Sequence, residues 1–187
     1  MQYYPSTDLT NYLRYEDGLR VLDLTGTGLF RAPDAVTELS KIEKLIEKLV
    51  LDENNLIALP AGINKLKNLI LLNLKNNKLT ELPAEIGDLR ELRWLFLSKN
   101  QLVGLPTSIQ RLTKLKKLDL DENKLTELPA EIGDLRALSQ LSVGPNPLTV
   151  DAIRRALKLR KKGVSVSGVA GKPGGYCSYL EVRKKPR

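Results

Sequence analysis

Asparagines stand at Asn54, Asn77, Asn100, Asn123 and Asn146, and every gap between them is 23 residues. The apolar pattern returns with each. One copy reads Leu69-Ile-Leu-Leu72-Asn-Leu74-Lys-Asn-Asn77-Lys-Leu79-Thr-Glu-Leu82-Pro83. The copy before it carries Ile46, Leu49, Leu51, Leu56, Leu59 and Pro60 in the same places. The next two carry Leu92, Leu95, Leu97, Leu102, Leu105, Pro106 and then Leu115, Leu118, Leu120, Leu125, Leu128, Pro129. The first copy is degenerate, with Leu19, Leu22, Leu24, Leu29 and Pro33, and Thr27 where asparagine is expected. The last runs Leu138, Leu141, Val143, Asn146, Leu148 and then diverges. Residues Leu79 to Arg90 recur letter for letter at Leu125 to Arg136, two periods on, which duplication of a repeat pair explains.

A fixed period of this length constrains the fold more than any local propensity does. In Leu72-Asn-Leu74 the alternation sends two leucines to one face and the residues between to the other. A single strand this short cannot bury its apolar side, whereas stacked copies share one continuous parallel sheet. Each asparagine falls just after its strand, where its side-chain amide is placed to satisfy backbone groups of the turn and to stack on the asparagine above. The Pro-x-x-Ile pieces predict short helical or 3-10 turns on the opposite side, with Pro83 and Pro129 suited to a first helical position.

These residues resemble the leucine-rich repeat family over Leu19 to Leu148. The 23-residue form is similar to the intracellular signalling-scaffold type of Ras-associated proteins, and bacterial repeat proteins use similar spacing. The resemblance implies an α/β fold: a right-handed solenoid or horseshoe arc of about six repeats. Its parallel sheet is concave, its short helices or 3-10 turns are convex, and its caps are helical. It also implies a module that binds another protein, as in signalling scaffolds, innate-immune recognition and bacterial host-interaction factors.

The interval from Thr27 to Asn54 is 27 residues, four longer than the rest. It holds Asp34 to Lys48, and the apolar spacing Val36, Leu39, Ile42, Leu45 and Leu49 predicts an amphipathic helix that makes the convex side bulge. Residues 1–18 are read as an N-terminal cap, with Ser6 to Tyr15 as a helix burying Leu9 and Leu13. Residues 19–150 are the repeats. Residues 151–167 hold a capping helix, Asp151 to Lys162, with Thr149 or Asp151 as N-cap, Ile153, Leu157 and Ala156 facing the last repeat, and Gly163 as its stop. Val164 and Val166 then alternate with serines as a short strand. Residues 168–187 are read as a basic tail, opened by a glycine-rich linker from Gly168 to Gly175.

Composition narrows the function. The chain has no histidine and a single cysteine, Cys177, so histidine-based triads, histidine-ligated metals and thiolate zinc sites are excluded. Gly26-Thr27-Gly28 is not followed by the rest of a phosphate loop. The acids Asp119 and Asp121 lie on an open surface, where no cleft excludes water. The expectation is a chain without catalytic residues, cofactor or metal. A lone cysteine points to a reducing compartment. Met1 to Asp8 lacks a charged start followed by an apolar run, and no stretch reaches the roughly 20 apolar residues of a membrane span. The expected setting is therefore cytoplasmic, with the nucleus second, and the expected state is a monomer.

The strand residues between the core leucines mark the expected binding face. Across the stack these are Val21, Asp23, Thr25; Lys48, Val50, Asp52; Leu71, Asn73, Lys75; Trp94, Phe96, Ser98; Lys117, Asp119, Asp121; and Gln140, Ser142, Gly144. The only tryptophan and one of the two phenylalanines fall on one central strand, with Val50 and Leu71 on its neighbours. Exposed central rings with a charged rim are the composition of a binding hot spot. The partner-binding residues expected are Trp94, Phe96, Leu71, Val50, Asn73, Lys75, Lys48, Lys117, Asp119 and Asp121. The competing role for the rings is to lie flat on neighbouring side chains. From Arg154 onward there are eleven Lys or Arg against one acid, so the segment carries +10 and the rest −2. A basic end of this kind is a second candidate site, for nucleic acid or an anionic surface.

Overall fold

The computed structural model describes residues 12–29 and 46–169. Its frame is one eight-stranded sheet in sequence order. The strands are β1 (Leu13–Glu16), β2 (Leu19–Asp23), β3 (Lys48–Val50), β4 (Leu71–Asn73), β5 (Trp94–Phe96), β6 (Lys117–Asp119), β7 (Gln140–Ser142) and β8 (Ser165–Ser167). From β2 to β8 every pairing is parallel. The central residues Leu49, Leu72, Leu95, Leu118 and Leu141 align, each one period from the next. The six strands that the repeats predict are therefore present, joined by β8 and by β1. The inward leucines are sealed: Leu72, Leu74, Leu95, Leu97, Leu118 and Leu120 are all 0% exposed.

Behind the sheet, each Leu-Pro step opens a 3-10 turn: Ala61–Lys65, Ala84–Asp88, Thr107–Arg111 and Ala130–Asp134. The prolines stand at the N-cap in extended conformation, one place before the first helical residue. Each turn buries its isoleucine, Ile63, Ile86, Ile109 or Ile132, against the core. Neighbouring turns pack closely enough to select glycine at one place. A β-carbon on Gly87 would lie 2.3 Å from the Ser108 carbonyl oxygen, whereas one on Gly133 meets nothing within 4 Å. The two glycines sit in identical sequence segments, so context alone separates them. Gly87→Ala is expected to cost about 1–3 kcal/mol by overpacking. Gly133→Ala is expected to be neutral or slightly stabilising. Melting curves that rank them the other way would refute this packing.

At each strand exit the chain turns through a left-handed residue. Glu53, Asn76, Lys99 and Glu122 have φ of 56°, 54°, 57° and 53°. Gly26 holds the equivalent place in the first copy, with φ 65°. The backbone N–H of Glu53, Asn76, Lys99 and Glu122 donates to the next repeat at 2.9–3.0 Å, so the ladder outlasts the strands. The turn aims the following asparagine inward, and the strain of a non-glycine residue there is of order 1 kcal/mol. In the last copy the place is taken by Pro145, whose ring forbids positive φ. There the repeat gives way to α1 (Val150–Lys161).

The asparagines hydrogen-bond backbone rather than one another. Asn100 Nδ2 donates to the carbonyls of Leu74, Leu97 and Ser98 at 2.8, 3.0 and 3.4 Å, while its Oδ1 accepts from the Leu79 N–H at 3.0 Å. Asn54, Asn77 and Asn123 repeat this pattern, and Asn146 lacks only the third carbonyl contact. Each leucine carbonyl is shared: that of Leu74 takes both Asn77 and Asn100, that of Leu97 both Asn100 and Asn123. Thr27 stands in at the first copy by donating to the Leu24 carbonyl at 2.9 Å.

The ends depart from expectation. Residues 13–16 are not helical but form β1, antiparallel to β2, with Glu16 opposite Leu19. The cause is Asp17-Gly18, a two-residue turn with φ of 52° and 77°, the backbone that an Asp-Gly hairpin favours. Leu13 still packs against the core, while Tyr15 is 71% exposed. Residues 6–11, the rest of the expected N-terminal helix, lie outside the described residues. So does most of the helix expected over Asp34 to Lys48, and its described end is not helical, since Lys48 begins β3.

At the other end a helix forms, one residue earlier at each end than the Asp151 to Lys162 expected. Thr149 is its N-cap, accepting from the Ala152 N–H at 3.3 Å, and Gly163 closes it with φ 93°. Ala152, Ala156 and Leu159 are buried, with Ile153 and Leu157 packed on the same core. Gly168 and Val169, read as the start of a linker, are instead packed. A β-carbon on Gly168 would lie 2.1 Å from the Gly144 nitrogen, and Val169 is 8% exposed in the core. Residues 170–187 lie outside the described residues.

Candidate functional site

Register turns the outward positions into rows. One row runs Val21, Lys48, Leu71, Trp94, Lys117, Gln140, and the next runs Asp23, Val50, Asn73, Phe96, Asp119, Ser142. Adjacent strands are about 4.8 Å apart, so Leu71, Trp94 and Lys117 are direct neighbours, as are Asn73, Phe96 and Asp119. The third row, Thr25, Asp52, Lys75, Ser98, Asp121 and Gly144, lies along the strand exits.

The structure sets Leu71 beside Trp94 and places Phe96 on the same strand as Trp94, while Val50 lies in the Phe96 row with Asn73 between them. All four are half-buried rather than exposed. The Lys117 ammonium sits over the Phe96 ring, 5.3 Å from its centre. The Phe96 ring therefore does lie against a neighbour, and both rings keep part of their surface open to solvent. Three residues expected on this face are covered: Val21 at 0% exposure, Ser98 at 5%, and Gly144, which packs against Gly168. Asn73 and Asp119 have a local task as well. Each accepts the N–H two residues on, from Lys75 at 3.1 Å and Asp121 at 3.2 Å, as Asp23 does from Thr25 at 3.0 Å. Lys48 reaches Glu16 at 3.4 Å.

Charge is divided across the face. Lys48 and Lys117 lie on the row where strands begin, and Asp52, Asp119 and Asp121 lie towards the exits, with Lys75 as the exception. Burial pushes the Asp121 carboxyl up from its usual range, opposed by the Gly144 N–H, which donates to it at 2.8 Å, and reinforced by the charges of Asp119 and Glu122. Asp23 is held below its usual range. Burial acts against this and is outweighed by hydrogen bonds from the Thr25 side chain and backbone and by the Arg14 guanidinium.

The signs give opposite pH responses. Asp23, lowered on folding, contributes stability above its unfolded pKa that is lost as pH falls through the folded one. Asp121, raised on folding, favours the fold below its unfolded pKa and loses that contribution as pH rises through the folded one. Asp121→Asn keeps the oxygen that accepts from Gly144 and removes the charge. At neutral pH it is expected to stabilise the fold slightly, by about 0.5 kcal/mol at most because the site is solvent-screened, and so to melt a little higher. The difference from wild type should vanish on acidification through the carboxylate range. A variant that melts lower at neutral pH contradicts this.

The second candidate, the basic end, is largely occupied with structure in its described part. Arg154 pairs with Asp151 and Arg155 with Glu127, both at 2.9 Å. Arg160 caps the Val166 carbonyl at 2.8 Å, and Lys162 reaches the Gly133 carbonyl at 3.3 Å. Among the described residues no three acidic or cysteine side chains converge to hold a metal. None of the described helices is long and apolar enough to cross a membrane.

Comparison with known proteins places these features. A leucine rich repeat family model matches residues 44–102, and a second matches residues 114–135. A leucine-rich repeat protein of Leptospira interrogans aligns with TM-score 0.57 and 32% identity, over 70% of this chain and 38% of that one. A structure described as a TDR receptor aligns with TM-score 0.53 and 31% identity, over 56% of this chain and 19% of that one. An internalin from Listeria monocytogenes shares the fold, with TM-score 0.60 and 21% identity over 73% of this chain and 38% of that one. The chain thus spans well under half the length of each of these proteins. No curated protein matches.

Proposed function

Because this chain belongs to the leucine-rich repeat family, we propose that it is a non-catalytic module that binds a partner protein on the concave face of its sheet. The observation that carries the reading is the group of Leu71, Trp94 and Phe96 on the adjacent strands β4 and β5, with Val50 beyond Asn73 on β3 and charged residues around them. Repeat solenoids offer such broad surfaces, and enzymes need a cleft that an open sheet does not provide. The rings sit on short, rigid strands, so little ordering entropy opposes docking. We place the module in a reducing compartment on the strength of its single cysteine.

Affinity capture with the wild-type chain against Trp94→Ala tests the proposal. A protein retained by the first and lost by the second supports it. Equal retention by both places the docking surface elsewhere and refutes it.

A further inference from the structure

If the face docks a protein, its charges select what kind of segment the partner presents, and this inference rests on that reading. Along the strand exits beside the rings, Asp119, Asp121 and Glu122 form one side of the apolar patch. Among the described residues neither Asp119 nor Asp121 has a salt-bridge partner, and Glu122 has only Lys99, at 4.0 Å. The cations of the face are placed differently: Lys48 is paired with Glu16, Lys117 lies over Phe96, and Lys75, on the exit row, stands two strands from Asp121 and forms no salt bridge among the described residues. The Asp121 carboxyl is pushed up first by burial, and the charges of Asp119 and Glu122 add to that. Phe96 stands next to Asp119 in register, so a ring face that already holds an ammonium adjoins an uncompensated carboxylate.

We propose that the occupant is a protein segment pairing an apolar side chain, seated on Leu71 and Trp94, with a cationic one seated between Phe96 and the carboxylates of Asp119 and Asp121. Arginine fits this place better than lysine, because its planar head stacks on a ring while donating in the plane to a carboxylate. The two contacts are separated by about one strand spacing across the sheet and two residues along it, on the order of 8–10 Å. An extended segment spans that with its apolar and basic residues two to four positions apart. An acidic segment meets like charge at the exits, and like-charge juxtaposition is strongly disfavoured at an interface.

Random-peptide display tests this without knowledge of the natural partner. The immobilised full chain is the bait, and Trp94→Ala/Phe96→Ala, with melting checked, is the counter-selection. The expected set is enriched in arginine or lysine a few residues from an apolar side chain. A synthetic copy of the strongest sequence should bind Asp119→Asn/Asp121→Asn roughly tenfold more weakly, with a flatter salt dependence. Enrichment without cationic bias, or binding indifferent to Asp119→Asn/Asp121→Asn, overturns the inference while leaving docking on this face intact. No enrichment over the Trp94→Ala/Phe96→Ala bait overturns both.

Discussion

Asn100→Ala is expected to lower stability by about 3–5 kcal/mol, although the residue touches no ligand and carries no charge. Asn100 is 7% exposed and serves four backbone groups. The carbonyls of Leu74 and Leu97 keep their second donor, from Asn77 and Asn123. The Leu79 N–H is less fortunate, because Asn100 Oδ1 is its acceptor, and alanine leaves it buried and unpaired. That orphan costs about 1–3 kcal/mol, and the lost hydrogen bonds add about 1 kcal/mol each. For a chain of this size the melting temperature should fall by about 10 °C or more. Asn100→Asp should be worse than alanine at neutral pH, since it keeps the acceptor but points a carboxylate oxygen at three carbonyls. Asn146→Ala should cost less, because Asn146 is only half-buried at the end of the series. Thermal and urea melts of the three variants check the order, and an Asn100→Ala variant within 1 kcal/mol of wild type, roughly the mean for any point mutation, would refute the ladder.

The largest expected effect on binding comes from Trp94→Ala with Phe96→Ala. Both rings project from β5 on the face opposite Leu95, so their removal opens no interior cavity. The expected stability loss is about 1 kcal/mol each or less, including the contact between Phe96 and Lys117. Against a partner the same rings would bury a large apolar area and pack edge or face against its side chains. Central aromatic truncations commonly cost about 2 kcal/mol or more apiece, so the double variant should bind at least several hundredfold more weakly. Lys48 and Lys75 stand towards the rim, and their substitution should alter association rate and salt response more than final affinity. Affinity for a captured partner, measured beside melting curves, decides the matter.

Much of this architecture was legible in the sequence because a repeat carries its own register. Once Asn77 and Asn100 are aligned, Leu72 must sit beside Leu95 and Leu71 beside Trp94. What stayed hidden lies where the repeat breaks or where two repeats meet. Leu9 and Leu13 share a helical spacing, but the Asp17-Gly18 turn that follows makes residues 13–16 a strand. Nothing within one copy shows that Lys117 will cover Phe96, because that contact crosses 21 positions of the chain. The burial of Ser98 and Gly144 has the same origin, as alternation assigns a side but not what the neighbouring strand lays over it. The left-handed column at Glu53, Asn76, Lys99 and Glu122 was also missed, although Gly26 in the same place is the clue. Glycine marks both loose chain and close approach, and the sequence around Gly168 does not separate the two. The contact of Gly168 with Gly144 shows the second use.

Trp94 is the only tryptophan in the chain, so it reports on the proposed face without any added label elsewhere. The chain grown with 5-fluorotryptophan gives a single fluorine signal, unaffected by tryptophans in the partner. Titration with a captured partner should shift or broaden that signal in step with complex formation and shield it from solvent. A fluorine signal that stays unchanged at saturation, in a complex known to have formed, would contradict docking at the concave centre.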